Sequence, residues 1–255
     1  MNTAPPPVRL RPVTDMNIGT TAFFRNRPLL DALCAQLATH EAPVIDVLFH
    51  ACSIGAEVYS FLIACRLHPV LSQKTIRLAA CDLDPAFVDY ARQGVYPATI
   101  VQGMSPQEQA FFVEVDEQSV RVVDELRSQP QFLPATSFVD FETSRTFDVV
   151  FLLNALLYVP GEKQSEAIDR VGTYSRRWLV TTGFHFDRIR DDLQRNGYAP
   201  VPGGMREIHD AWLDRRRPVT EASEVIPGKI FHTWSLPPFE EIEDYEYKYC
   251  AIFSK

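Results

Sequence analysis

The apolar positions of this chain fall into two periods that alternate along its length. Val44 to Phe49 is a nearly continuous run of apolar and β-branched residues, the pattern of a strand buried on both faces. It breaks into the small residues Ala51, Cys52, Ser53 and Gly55, and an apolar-periodic stretch that reads as a helix follows. The alternation then recurs. Thr75 to Cys81 reads as a second strand with a helix over Ala86 to Gln93, and Pro134 to Val139 as a third strand. Phe147 to Leu153 is a strongly apolar fourth strand, expected at the sheet centre, and Trp178 to Thr182 is a fifth. Helical spacing marks Pro28 to Thr39, with Leu29, Leu30, Leu33 and Leu37 on one face, as well as Ser105 to Phe112 and Phe186 to Asn196, the last closed by Gly197. Near the end, His232 to Leu236 and Tyr247 to Phe253 alternate as an antiparallel strand pair would, whereas Gln118 to Leu126 fits neither period.

These elements predict an α/β fold. The expected architecture is a Rossmann-like doubly wound sheet, mostly parallel, with a C-terminal antiparallel strand pair and a helical N-terminal cap. Residues 1–40 form the arm and cap, and 41–255 the α/β domain. The first thirteen residues carry four prolines and no periodicity, so they read as an extended arm.

The turns between strands and helices are where the chemistry concentrates. A strand, a small-residue turn and a helix N-terminus let a ligand approach the backbone at Ala51, Ser53 and Gly55. A plain strand-to-helix turn accounts for those residues equally well. The second strand ends in Asp82-Leu83-Asp84-Pro85. A carboxylate at that tip can accept from both ribose hydroxyls of a nucleotide, and Asp82 takes that assignment. Asp84, followed by Pro85, reads mainly as a helix N-cap. His185 and His209 are candidate general bases, with a packing or surface histidine as the competing reading. Trp212, Trp234 and Tyr245 could wall a small acceptor pocket or simply pack in the core, and Arg215-Arg216-Arg217 reads as a solvated helix end.

Composition narrows the field. A chain of 255 residues with 46% hydrophobic content supports one large α/β domain. The net charge of −8 makes a phosphate backbone a poor partner, so no nucleic acid is expected. No apolar run approaches a membrane span and the N-terminus lacks a signal pattern, so no membrane contact is expected. Five cysteines scattered in apolar surroundings, without a C-x-x-C pair, read as reduced core thiols of a cytoplasmic protein. The six histidines show no ligand spacing, so no metal is expected.

Five stretches occur in one order: Thr21-Ala22-Phe23-Phe24-Arg25, Ala51 to Ser60 (Ala-Cys-Ser-Ile-Gly-Ala-Glu-Val-Tyr-Ser), Cys81-Asp82-Leu83-Asp84, Ala91 to Tyr96 (Ala-Arg-Gln-Gly-Val-Tyr) and Phe147 to Tyr158. Together they resemble the S-adenosylmethionine (SAM) domain of the CheR-type chemotaxis-receptor methyltransferases, over about residues 14–160. The resemblance implies a class I SAM-dependent methyltransferase. It would set Thr21 and Arg25 over the methionine end of SAM, with Arg25 pairing the carboxylate, and Glu57 near the α-amino group. It would also set Asp82 on the ribose, and Asp140 and Phe141 at the adenine, one accepting from its amino group and the other packing on the ring. Asn154 and Tyr158 fall beside the sulfonium, where aromatic faces and oriented oxygens stabilise a cation. Tyr158, Asn154 and His185 are accordingly the candidate catalytic residues.

The chain departs from the family pattern at two positions. The arginine before the asparagine is Leu153 here, and the first glutamate of an acidic pair is Ala56. The family's basic N-terminal receptor-binding domain is also missing from the expected organisation. These departures point away from a receptor glutamate and toward a small-molecule acceptor. The competing readings are use of SAM alone, by an intramolecular cyclisation that releases methylthioadenosine, a protein carboxyl acceptor, and a non-catalytic SAM-binding protein.

Overall fold

The computed structural model describes residues 8–9, 20–182, 186–212, 239–241, 243 and 245–255. Two short strands, β1 (Val8–Arg9) and β2 (Thr20–Thr21), pair antiparallel ahead of helix α1 (Arg27–Ala38). Asn26 caps α1 by accepting from the Leu29 amide at 3.0 Å, and Pro28 sits in its first turn, where a missing N–H is harmless.

Strand β3 (Val44–Phe49) is followed by α2 (Ala56–Leu67), β4 (Thr75–Ala80) and α3 (Pro85–Gln93). A small sheet interrupts the alternation: β5 (Val95–Pro97), α4 (Pro106–Gln109), β6 (Phe112–Asp116) and β7 (Ser119–Val122), the three strands running antiparallel with β7 in the middle. The stretch Gln118 to Leu126, whose sequence fits neither period, holds β7 and the start of the short helix after it. Next come α5 (Asp124–Arg127), β8 (Gln131–Phe132), β9 (Phe147–Leu153), α6 (Gly161–Tyr174) and β10 (Ser175–Thr182). The described remainder holds α7 (Arg190–Arg195), β11 (Ala199–Pro200), a helix α8 over 205–212, α9 (Tyr245–Tyr249) and β12 (Ile252–Ser254).

The main sheet has seven strands in the order β11-β12-β10-β9-β3-β4-β8, with β9 at the centre. β8, β4, β3, β9 and β10 are parallel, and β12 and β11 add an antiparallel edge. The expected mostly parallel sheet is therefore present. Both faces are covered, as a parallel sheet requires. Along β9, Val149 and Phe151 pack with α1 and α2, while Val150 and Leu152 pack with α6 and α7. Phe49 and Phe151 stack across β3 and β9 with centroids 3.8 Å apart. The buried face of α1 (Leu29, Leu33, Cys34, Leu37) lies in the same cluster as α2. All five cysteines are buried and unbridged.

Two expected strands differ from those found. Residues 134–139 form no strand, and the third parallel strand is the two-residue β8, just before them. The ladder continues through the Leu133 amide, which donates to Ala80 O at 2.8 Å, and then meets Pro134, which has no N–H to donate. Tyr245–Tyr249 is helical, which confines the last strand to Ile252–Ser254. The tyrosines alternate in sequence, but their rings go to different places: Tyr249 packs on His209 and Phe239, and Tyr247 on Phe253. The antiparallel partner of β12 on its outer side is Ala199–Pro200; the expected partner, His232 to Leu236, lies outside the described residues.

Candidate functional site

Chain direction across the sheet reverses between β3 and β9: from β3 the path goes outward through β4 to β8, then returns to β9 on the other flank. In open parallel sheets the crevice beyond the carboxyl ends of such a pair is where ligands bind. A cavity of about 340 Å³ opens there, walled by residues that follow β3, β4, β8 and β9. Its size suits a cofactor or drug-sized ligand.

The β3 turn forms its floor. Ala51 and Ser53 adopt φ values of 51° and 49°, in the left-handed region that non-glycine residues seldom visit. Gly55 also has positive φ (80°), and an added Cβ there would lie 2.8 Å from Ala91 Cβ, so the turn and α3 pack too closely for a side chain. Tyr96 donates to Ile54 O at 2.7 Å and fixes the turn from below. Asp82 ties two turns together: one carboxylate oxygen accepts the Ser53 amide at 2.7 Å and the other the Asp84 amide at 3.0 Å. Burial pushes the Asp82 carboxyl above its ordinary value, against the pull of those amide donors. Asp84 caps α3 through the Ala86 amide at 2.9 Å, as its position before Pro85 predicts.

One end of the cavity is charged. Arg25 Nη1 lies 3.8 Å from Glu57 Oε1, and Thr21 Oγ1 donates to the other Glu57 oxygen at 3.0 Å. Glu57 sits in the first turn of α2, so the segment before α1 and the start of α2 meet at this point. At the tip of β9, Asn154 also takes a left-handed backbone (φ 52°), held by its amide donating to Thr182 O at 2.9 Å. Two buried side-chain oxygens at the cavity, Ser53 Oγ and Asn154 Oδ1, have no hydrogen-bond partner among the described residues. Buried polar atoms without partners are uncommon, and these two are suited to a polar ligand.

Eight of the residues singled out in the sequence line the cavity: Arg25, Ala51, Ser53, Glu57, Asp82, Asp140, Asn154 and Tyr158. Thr21 is buried behind Glu57 and acts on the site through it, and Gly55 packs on Ala91 below the floor. Phe141 does not line the cavity; its ring turns inward, edge-on to His50 (4.8 Å) and Tyr174 (5.4 Å), and Phe138 lines the wall instead. The shift follows from the turn at 138–140, which leaves Asp140 exposed at the rim and sends the next side chain to the core. His209 is buried on α8 against Tyr249, away from the cavity, whereas His185, Trp234 and the Arg215 to Arg217 run lie outside the described residues.

Several lining residues escaped the sequence reading, among them Phe87, Thr136, Phe138 and Lys163. Thr136 and Phe138 sit in the stretch read as strand. Beside the main cavity a smaller one of about 30 Å³ shares Arg25, Glu57, Leu153 and Asn154 with it, and is otherwise bounded largely by apolar side chains, including Leu29, Phe151 and Trp212.

Comparison with known proteins supplies the kinship of this cavity. A family described as CheR methyltransferase, SAM binding domain, matches residues 19–176, well over half of the chain. Chemotaxis protein methyltransferase 2 of Pseudomonas aeruginosa is 30% identical over 169 residues, covering 62% of this chain and 59% of its own. The chemotaxis protein methyltransferase of Vibrio parahaemolyticus is 25% identical over 177 residues, covering 65% and 63%. The chain thus spans about three fifths of the length of these relatives. Among solved structures, magnesium protoporphyrin IX methyltransferase from Synechocystis PCC 6803 aligns with a TM-score of 0.43 at 19% identity, over 68% of this chain and 69% of that one.

Proposed function

We infer the function from one fact of kinship: the chain belongs to the CheR methyltransferase family, through the SAM-binding domain matched over residues 19–176, and its cofactor is SAM. We propose that the protein transfers the methyl group of SAM to a small-molecule acceptor. The observation that carries this reading is the cavity itself, charged at the Arg25–Glu57 end, carrying a ribose-type carboxylate at Asp82 and ending in an unpartnered amide oxygen at Asn154.

The residues present fit the cofactor. Arg25 would hold the amino-acid carboxylate and Glu57 the α-amino group, the two already oriented by each other and Glu57 also by Thr21. Asp82 keeps lone pairs beyond those given to the Ser53 and Asp84 amides, and would accept from the ribose hydroxyls. Asp140 at the rim would accept from the adenine amino group, with Phe138 and Leu83 as apolar walls. When bound, SAM supplies an electrophilic methyl group on a sulfonium, ready for in-line displacement. Asn154 and Tyr158 would present an oxygen and a ring beside that centre, and the apolar side chain of Leu153 would help to keep water from it.

The small-molecule acceptor is supported by that same wall. Leu153, where the family pattern has arginine, faces both cavities, and the second cavity beyond it is mainly apolar. Position 153 itself offers an acceptor carboxylate no cation, and the cations that line the main cavity are Arg25 and Lys163.

The test is product analysis by mass after incubating the protein with methyl-labelled SAM, a metabolite extract and, separately, the protein fraction of the same cells. S-adenosylhomocysteine formed with label in a metabolite is the expected result. Label in protein would overturn the small-molecule acceptor, and methylthioadenosine would overturn methyl transfer itself.

A further inference from the structure

Behind the cavity floor lies a side chain that the roles above leave unused. His50 is the residue after β3 and is 1% exposed. Its Nδ1 is 3.1 Å from Cys81 Sγ and its Nε2 is 3.0 Å from Tyr174 Oη, while its amide donates to Phe151 O at 3.0 Å. Its ring also lies edge-on to Phe141 and 6.0 Å, centroid to centroid, from Phe138.

Three of these neighbours, Cys81, Phe138 and Phe141, belong to segments that line the cavity where the adenosine of SAM would lie. His50 itself leads into Ala51 and Ser53. Cys81 ends β4 immediately before Asp82. Phe138 and Phe141 bracket Asp140. Tyr174 is the last residue of α6, whose first turn contributes Lys163 to the cavity wall. A turn holding two non-glycine residues in left-handed backbone keeps that shape only when its surroundings over-determine it.

We propose that His50 is a positioning residue of the cofactor site, joining the β3, β4 and β8 turns through its contacts with Cys81, Tyr174 and the Phe138–Phe141 turn so that they present one pre-formed adenosine-binding surface. Three elements that arrive from separate parts of the chain are held by one ring, and disturbing either nitrogen's partner lets them move apart. Burial lowers the imidazole to about 3 and pushes the Cys81 thiol up to about 12, so both stay uncharged and the linkage does not switch with pH near neutrality. Pre-formed surfaces bind more tightly because less ordering is left to the binding step.

This inference rests on the SAM reading, and the experiment separates the two. Calorimetry measures S-adenosylhomocysteine and adenosine binding to the 255-residue protein and to Tyr174→Phe, which removes a single hydroxyl and keeps the ring. The expected result is a loss of about five- to tenfold in affinity for both ligands by the same factor, the size of one hydrogen bond. Arg25→Ala should weaken S-adenosylhomocysteine alone. Cys81→Ser, which keeps a polar partner for Nδ1, should bind within about twofold of the wild type, and Cys81→Ala should behave as Tyr174→Phe does. A merely structural role would lower the melting temperature and leave affinity unchanged at temperatures far below it. If wild type binds both ligands and Tyr174→Phe and Cys81→Ala bind them equally well, the positioning role is overturned. If wild type binds neither, the SAM reading falls, and this one with it.

Discussion

Arg25, Glu57 and Thr21 form the part of the site whose energetics are easiest to state. Arg25 and Glu57 are both largely shielded, with side chains 17% and 14% exposed, so a carboxylate brought to Arg25 meets little screening. Replacing Arg25 with alanine should weaken SAM binding by about 1.5–3 kcal/mol, roughly ten- to a hundredfold in Kd, as read by calorimetry; an unchanged Kd would remove Arg25 from the carboxylate. Tyr158 is 61% exposed at the cavity mouth, so its ring contributes little to folding. Tyr158→Phe should therefore lower kcat more than SAM affinity, and an equal loss of both would instead indicate a packing role. Asp82 gives a pH prediction. Its folded carboxyl titrates above the unfolded one, so its contribution to stability is present below the unfolded value and is lost as pH rises through the folded one. Ligand hydroxyls that donate to the ionised carboxylate offset that loss. Adenosine affinity should accordingly fall on acidification through a pH above the ordinary aspartate range, and Asp82→Asn should make the profile flat there.

The start of α2 shows how local sequence sets the site. Gly55 allows both the positive φ and the contact with Ala91, so Gly55→Ala should destabilise the protein by about 1–3 kcal/mol in urea titration and loosen the turn that carries Ser53. At α4, Ser105 and Glu108 complete a reciprocal cap, and Glu108 also takes both guanidinium nitrogens of Arg27 at the start of α1. Loss of the cap in Ser105→Ala should cost about 1 kcal/mol. Elements of this kind were legible where a single period ran long enough. β3 and β9 read as nearly continuous apolar runs because both faces are buried, and α3 announced its cap through Asp84. What stayed hidden was decided by distant partners. β8 is two residues long and exists because Ala79 and Ala80 offer it a ladder. Phe141 turns inward because His50 and Tyr174 receive it, and nothing in its neighbours shows that. Asp82 and Asn154 were readable because they sit at strand tips, whereas Lys163 lines the cavity from a helix that begins several residues beyond β9.

Across the whole molecule, the two ends of the sheet do different work. At the carboxyl end the turns form the cavity; at the amino end a charge network clamps four strands. Asp46 on β3 pairs with Arg77 on β4 at 2.6 Å and with Arg176 on β10 at 3.2 Å, and Arg176 reaches Asp148 on β9 at 3.0 Å. Both aspartates are nearly buried, so Arg176→Met should leave Asp148 without its cation and lower unfolding free energy by about 1–3 kcal/mol, with SAM affinity unchanged because the cavity lies at the opposite end. The antiparallel edge has a consequence for how the protein is made. β12 fills the flank of β10, and its neighbouring Lys255 donates through its amide to Arg177 O and through Nζ to Gly172 O and Ser175 O. Until residues 252–255 have left the ribosome, a nascent chain presents β10 with one flank open and its apolar surface toward Phe253 uncovered. Such a chain is a target for chaperones, and a ribosome stalled a few codons short of this point would release a species prone to pair with its own kind.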